Sequence, residues 1–224
     1  MESIARYFSE GGLVMWPILI VLGFAGAVVA ERLFFYLRIC GDSSVALVAS
    51  AARAINEGRP DDAMRAVGRR RGPLNAILGV ALQRYREGYS MPEIRQSVDE
   101  AAIREVPRLT RRLGYLSTIA NVATLAGLLG TIFGLQQAFN ALALTDAGEK
   151  AAVLAAGISQ AMNTTSFGLM VAIPCLVAHA LLVNLQTRHA EDLDAGAVRL
   201  LNYLENRMAE PTAPVAAVAD RSGR

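Results

Sequence analysis

Residues 151–187 run without a single Asp, Glu, Lys or Arg. At ~1.5 Å of rise per helical residue, about 20 residues cross a ~30 Å hydrocarbon core, so this stretch is long enough to span a bilayer and to project beyond it. It is not a plain apolar anchor. Ser159, Gln160, Asn163, Thr164, Thr165 and Ser166 gather near its centre, and polar side chains at that depth face protein or a water-filled path rather than lipid. The small residues Gly157, Ala161, Gly168 and Ala172 recur at intervals of four and seven, the spacing that lets membrane helices approach closely. One tight face and a polar centre describe a pore wall.

Two further stretches, 11–30 and 114–144, are also free of charge. The first is too long for the apolar core of a signal peptide and has no small-residue cleavage pattern; it ends at Glu31 and Arg32, and reads as a retained first span. The two cysteines, Cys40 and Cys175, fall in different parts of the chain and make no disulfide framework. His179 and His189 have no cysteine or carboxylate at ligand spacing, which argues against a metal site. A lone histidine near the end of a span, like His179, reads as packed or interfacial.

Between the first and second spans the character changes. Residues 41–112 hold thirteen Arg against nine Asp or Glu and no spanning run. Gly58 to Asp62 reads as a turn followed by an N-cap, and Gly72-Pro73 as a second boundary. Ser90 with Glu93 has the spacing of a capping box. These signals predict several antiparallel helices. Arg69-Arg70-Arg71 beside a membrane is a positive-inside signal rather than a nucleic-acid patch. The link between spans two and three carries only Asp146, Glu149 and Lys150, whereas Arg188, Arg199 and Arg207 follow span three. The arginine-rich region and the C-terminus are therefore expected in the cytoplasm, and the N-terminus and short link on the other side.

The expected organisation is an N-terminal periplasmic segment at 1–11, spans at 12–38, 114–144 and 151–187, and a cytoplasmic helical region at 39–113. A short loop at 145–150, a helical extension at 188–210 and a disordered tail at 211–224 complete it. The fold class is an all-α membrane protein whose three transmembrane helices extend into a cytoplasmic helical bundle. In span two, Ala126, Gly130, Gly134 and Ala138 form a four-residue ladder, with Gly127 and Thr131 on a neighbouring face. Two close-packing faces on one helix predict more than one partner helix, hence a ring of subunits. Taken alone, Thr131 and Thr165 read equally well as threonines bonded to their own i−4 carbonyls.

Asn121-Val122-Ala123 with Gly127 to Gly134 resembles the second-span motif of the ExbB/TolQ/MotA proton-channel family. Gly157-Ile158 through Thr165, then Gly168-Leu169 and Ala172-Ile173-Pro174, is similar to its third-span motif, and Glu31-Arg32 also fits. The three spans match the ExbB/TolQ branch along nearly the whole chain; the MotA branch has four. The resemblance implies a pentameric ring in the bacterial inner membrane, enclosing the single spans of an ExbD/TolR-like partner whose membrane Asp carries protons. Through that partner, and a TonB/TolA-like or gliding-machinery protein, proton flow would drive outer-membrane transport, envelope integrity or gliding. Thr131 and Thr165 match the family's pore threonines, with Gln160 on the same path. Protons are the coupling ion and no other cofactor is implied.

Gln160 is a departure, because many ExbB and TolQ sequences have Glu there, and Gln does not titrate. On an ideal helix it lies about 140° from Thr165, which suits an inter-subunit contact better than a shared pore. A non-conducting membrane scaffold of the same descent is the alternative reading. The sequence offers no nucleophile–base constellation, phosphate loop or metal cluster that would make it an enzyme.

Overall fold

The computed structural model describes residues 12, 14–38, 43–69, 72–144, 146 and 148–209. The N-terminal segment at 1–11, the tail at 211–224, Cys40, Arg70 and Arg71 lie outside the described residues. Among those described, every regular element is an α-helix: α1 (Met15–Arg38), α2 (Ser44–Asn56), α3 (Pro60–Val67), α4 (Pro73–Arg86), α5 (Met91–Thr110), α6 (Leu113–Leu142) and α7 (Lys150–Ala209). They divide into two compact units, Met1–Arg38 with Thr110–Thr187, and Ile39–Leu109 with Arg188–Arg224.

The first unit holds α1, α6 and the first part of α7. α1 buries Met15, Ile18, Ala25, Val28, Arg32 and Tyr36, spacings that put one stripe of a 3.6-residue helix against the chain. That stripe packs on α6. Trp16, Ile20, Phe24, Phe34 and Leu37 are exposed on the rest of α1, as are Leu125, Ile132 and Phe139 on α6 and Met162, Met170, Ile173 and Leu181 on α7. So much outward apolar surface suits lipid or another helix, not water. Three helical stretches are long and apolar enough to cross a membrane, with mean hydropathies of 2.1 in Met15–Arg38, 1.7 in Met91–Leu142 and 2.2 in Lys150–Ala209.

α7 has 60 residues, so the third span and the extension after it are one uninterrupted helix. Pro174 lies inside it, where the missing N–H removes one rung of the ladder, a loss that membrane helices tolerate. The passage from α5 to α6 is different. Arg112 adopts φ 66, the one non-glycine residue with positive φ among those described, and this breaks the helix just before Leu113.

In the second unit, short turns join α2, α3, α4 and α5. Gly58 at φ +71 and Gly88 at φ +81 supply the left-handed residues at two of them, which a side chain would strain. Pro60 and Pro73 open α3 and α4, where a proline costs no helical bond. The expected N-cap after Gly58 takes another form. Arg59 caps without a side-chain bond, and Asp61 and Asp62 instead put negative charge in the first turn, where the helix dipole favours it. Half of the Ser90–Glu93 box forms: the Ser90 backbone N–H donates to Glu93 Oε2 at 2.9 Å, while the Ser90 hydroxyl donates to the same oxygen at 2.6 Å rather than accepting from the Glu93 N–H. Buried Asn75 donates through Nδ2 to the Val67 carbonyl at 2.8 Å, stapling the end of α3 to the start of α4. Val67, Ile77, Leu78, Ile94, Leu200 and Leu204 are among the buried residues of its core.

Candidate functional site

α6 and the uncharged 151–187 stretch of α7 run against each other largely through backbone. A Cβ placed on Gly127 would lie 3.3 Å from the Cα atoms of Gly168 and Thr165, and one on Gly168 only 2.7 Å from the Ala123 carbonyl oxygen. A Cβ on Gly134 would sit 3.1 Å from the Ala161 backbone nitrogen, and one on Gly157 2.2 Å from the Ala138 Cβ. At Gly130 the space is taken by the Thr164 methyl. Glycine and alanine at these positions are what let two helices meet without a side-chain layer.

Within the single chain the contact takes up only part of the expected set. Ala123, Gly127, Gly130, Gly134 and Ala138 are all buried on one face of α6, while Ala126 is only half-buried. Within the single chain the small residues make one close-packing face. On α7, Ala161, Thr164, Gly168, Val171, Ala172 and Cys175 are buried, but Pro174 is exposed, turned roughly 100° from Cys175 and out of the close contact. Gln160, placed on the path with Thr165 by the motif, lies on the opposite flank of that stripe. A Cβ on Gly12 would meet its Nε2 at 2.3 Å, so Gln160 abuts the chain just before α1. With Gln137 and Ser159 it lines a cavity of about 630 Å³ at the link end of α6 and α7.

The two threonines behave differently. Thr131 donates its hydroxyl to the Leu128 carbonyl at 2.6 Å, a local bond one turn back. Thr165 reaches across and donates to the Gly127 carbonyl at 3.1 Å. Its neighbour Thr164 takes the local route, to the Gln160 carbonyl at 2.9 Å. In both Thr131 and Thr165 the proton is committed to backbone, and each oxygen keeps lone pairs that accept from a water or a protonated carboxyl.

At the other end, Glu31 of α1 pairs with Arg112, the residue that breaks the chain before α6. Buried Arg32 lies 3.7 Å from Glu31 and stacks its guanidinium over Phe35 at 5.2 Å. His179 approaches the Leu113 carbonyl with Nδ1 at 3.1 Å. The left-handed Arg112 and the His179 bond were not legible in the motifs, because both depend on which residues the α5–α6 break brings beside α1 and α7.

The sequence profile of the MotA/TolQ/ExbB proton channel family matches residues 69–195, more than half the chain and all of α6. The chain belongs to this family. Similar family members include a putative biopolymer transport protein ExbB homolog of Methanothermobacter thermautotrophicus, 31% identical over 173 residues. That alignment covers 76% of this chain and 60% of the archaeal protein's length. A putative biopolymer transport protein, ExbB-like 3, of Synechocystis is 32% identical over 168 residues, covering 75% of this chain and 79% of its own. The Tol-Pal system protein TolQ of Haemophilus influenzae is 38% identical over 87 residues, 38% of this chain and 36% of that one. These likenesses place the chain in the ExbB/TolQ branch. MotA/TolQ/ExbB proteins are channels and not enzymes, and with three apolar helices this member is a multi-pass inner-membrane protein.

Proposed function

We propose that this chain forms the ring, a pentamer by family resemblance, of a proton-driven motor that works on the cell envelope through a partner. The partner is a single-span, ExbD/TolR-like protein whose membrane Asp takes up and releases protons. A TonB/TolA-like or gliding-machinery protein carries the work onward to outer-membrane transport, envelope integrity or gliding. Each proton entering across 100 mV brings ~2.3 kcal/mol, so a large motion needs several. The arginine excess in 41–112, with Arg188, Arg199 and Arg207 after span three, supports a cytoplasmic C-terminus and a periplasmic N-terminus.

The observation that carries this reading is the paired chemistry of Thr131 and Thr165. Each sits in an uncharged stretch of helix with its proton given to a backbone carbonyl and its oxygen left as acceptor. Such an oxygen receives the O–H of a neutral carboxyl, and the hydroxyl turns to donate once the carboxyl ionises. A valine there leaves the passing carboxyl without a partner. Gln160 joins Gln137 and Ser159 around the cavity at the link end, which supports a role at the path's outer mouth rather than at the threonine level.

The double variant Thr131→Val, Thr165→Val in the native membrane tests it. Gradient-dependent work is lost while the ring and its partner still co-purify; unchanged work would remove both threonines from the path. Purification of the full chain in mild detergent, with mass spectrometry, identifies the partner. A stable homo-oligomer with no single-span protein bearing a membrane Asp would overturn the motor reading.

A further inference from the structure

We propose that adjoining copies meet head to tail, the outward face of α6 in one against the outward face of α7 in the next, with Gln136 bonded to Ser159 across the seam. This seam presupposes the ring of the motor reading above but none of its proton chemistry. Two steps along a helix turn a side chain about 160° from where it began. On α6, Leu125, Ile132 and Gln136 each stand two residues from Gly127 or Gly134 of the close contact. On α7, Ser159, Met162 and Met170 stand two residues from Ala161, Thr164 and Gly168. Each trio therefore points away from the partner helix, out of opposite sides of the pair. All six are exposed.

Gln136 and Ser159 decide what covers these faces. Among the described residues neither side chain has a hydrogen-bond partner, and they stand in the uncharged stretches 114–144 and 151–187. A carboxamide and a hydroxyl there are satisfied by protein or water, not by lipid. They are also level with each other. Gly134 meets Ala161 and Gly157 meets Ala138, and Gln136 and Ser159 fall midway between those two pairs. Gly127 meets Gly168, so Leu125 is level with Met170, and by the same count Ile132 falls within one residue of Met162.

Rotation about the membrane normal keeps every depth. The next copy therefore brings its Ser159 opposite Gln136, its Met162 opposite Ile132 and its Met170 opposite Leu125. A carboxamide both donates and accepts, so it pairs with the hydroxyl in either sense. The rest of the seam is apolar, and one polar pair within it fixes the register, as a single Asn does in a coiled coil. A contact between two different faces repeats from copy to copy and closes as a ring. A two-fold contact would instead set Gln136 on Gln136 and leave the α7 face bare. α1 stays clear of the seam: its Phe24 ring lies 6.4 Å from that of Tyr115, which is about 160° round α6 from Thr131. A ring closed in this way carries α1 and Thr131 on opposite sides of its wall.

Cysteine pairs in the native membrane test the seam, in the full chain with Cys40→Ser and Cys175→Ala. Gln136→Cys and Ser159→Cys in one chain point away from each other, so any disulfide joins two copies. Oxidation with copper phenanthroline is expected to convert the monomer into a ladder of multimers on a non-reducing gel. Each single variant stays monomeric, and co-expression of the two singles, one of them tagged, stops at a mixed dimer. Leu125→Cys with Met170→Cys keeps the polar pair and is expected to give the same ladder, so a failure of the first pair to assemble does not spare the proposal. Dimers formed by single variants mean a two-fold contact and overturn it. Monomer in both paired variants, while the purified chain still sizes as a homo-oligomer, overturns the seam and leaves the ring standing. A wild-type chain that sizes as a monomer in mild detergent removes both.

Discussion

The hydroxyl of Thr165 donates to the Gly127 carbonyl oxygen at 3.1 Å, the side-chain bond that links α7 to α6 at the level of the glycine contact. Bonds of this kind between membrane helices average ~0.6 kcal/mol and reach ~1.7. Thr165→Val is expected to lower stability within that range, while Thr165→Ser retains it. Thr131→Val breaks only a bond within its own helix and leaves the α6–α7 association unchanged. Unfolding of the detergent-solubilised chain in rising SDS reads both.

Gly168→Ala puts a methyl 2.7 Å from a backbone oxygen that has no rotamer to change. The helices must separate, at a cost of about 1–3 kcal/mol for overpacking. Gly26→Ala on α1 meets nothing within 4 Å and gains helix propensity, so it is neutral or stabilising. Equal effects of the two substitutions on the melting of the purified chain would contradict the glycine contact.

Arg112 holds a left-handed backbone while pairing with Glu31. The conformation costs a non-glycine residue roughly 1–2 kcal/mol, and a half-exposed ion pair returns ~0–1 kcal/mol. Arg112→Ala therefore loses the pair and keeps the strain, whereas Arg112→Gly loses both. The glycine variant is expected to be at least as stable as wild type and the alanine variant less so, by thermal denaturation of the same preparation.

The Ser90 hydroxyl and then its backbone N–H hold the Glu93 carboxyl below its usual range. A folded-state value below the unfolded one means the stabilisation is present above the unfolded value and fades as pH falls through the folded one. Amide exchange at the start of α5, corrected for intrinsic rates, is expected to lose protection on acidification below the ordinary carboxylate range. Ser90→Ala, which removes the hydroxyl and keeps the backbone bond, shows part of that loss already at neutral pH.

The spans and the helix boundaries were legible because they rest on local chemistry: uncharged runs, prolines at first turns, and a serine three residues before a glutamate. The face of α6 was harder. Ala126, Gly130, Gly134 and Ala138 share a period of four, yet a 3.6-residue helix drifts away from that ladder. The contact instead follows Ala123, Gly127, Gly130, Gly134 and Ala138, steps of four with a single three between Gly127 and Gly130. The surroundings of Gln160 were hidden for a related reason. Its place in a motif fixes its depth along α7, but its surroundings depend on where the start of α1 passes, and Gly12 carries no signal of that in sequence. The Thr165 bond to Gly127 was equally hidden, since a threonine in a membrane helix satisfies itself locally unless a neighbouring backbone comes as near as this one does.

A contact built from glycine and alanine has almost no side-chain freedom to lose when it forms. It also has almost nothing left to remove. At Gly127, Gly134 and Gly168 every substitution adds atoms, and the nearest obstacles are main-chain atoms or, at Gly134, an alanine. Random change at these places therefore runs in one direction, towards wedging the helices apart, whereas the outward leucines and phenylalanines can shrink or grow against yielding lipid. The chain's tolerance of mutation is lopsided, wide on its greasy exterior and nearly nil along the narrow line where two backbones touch.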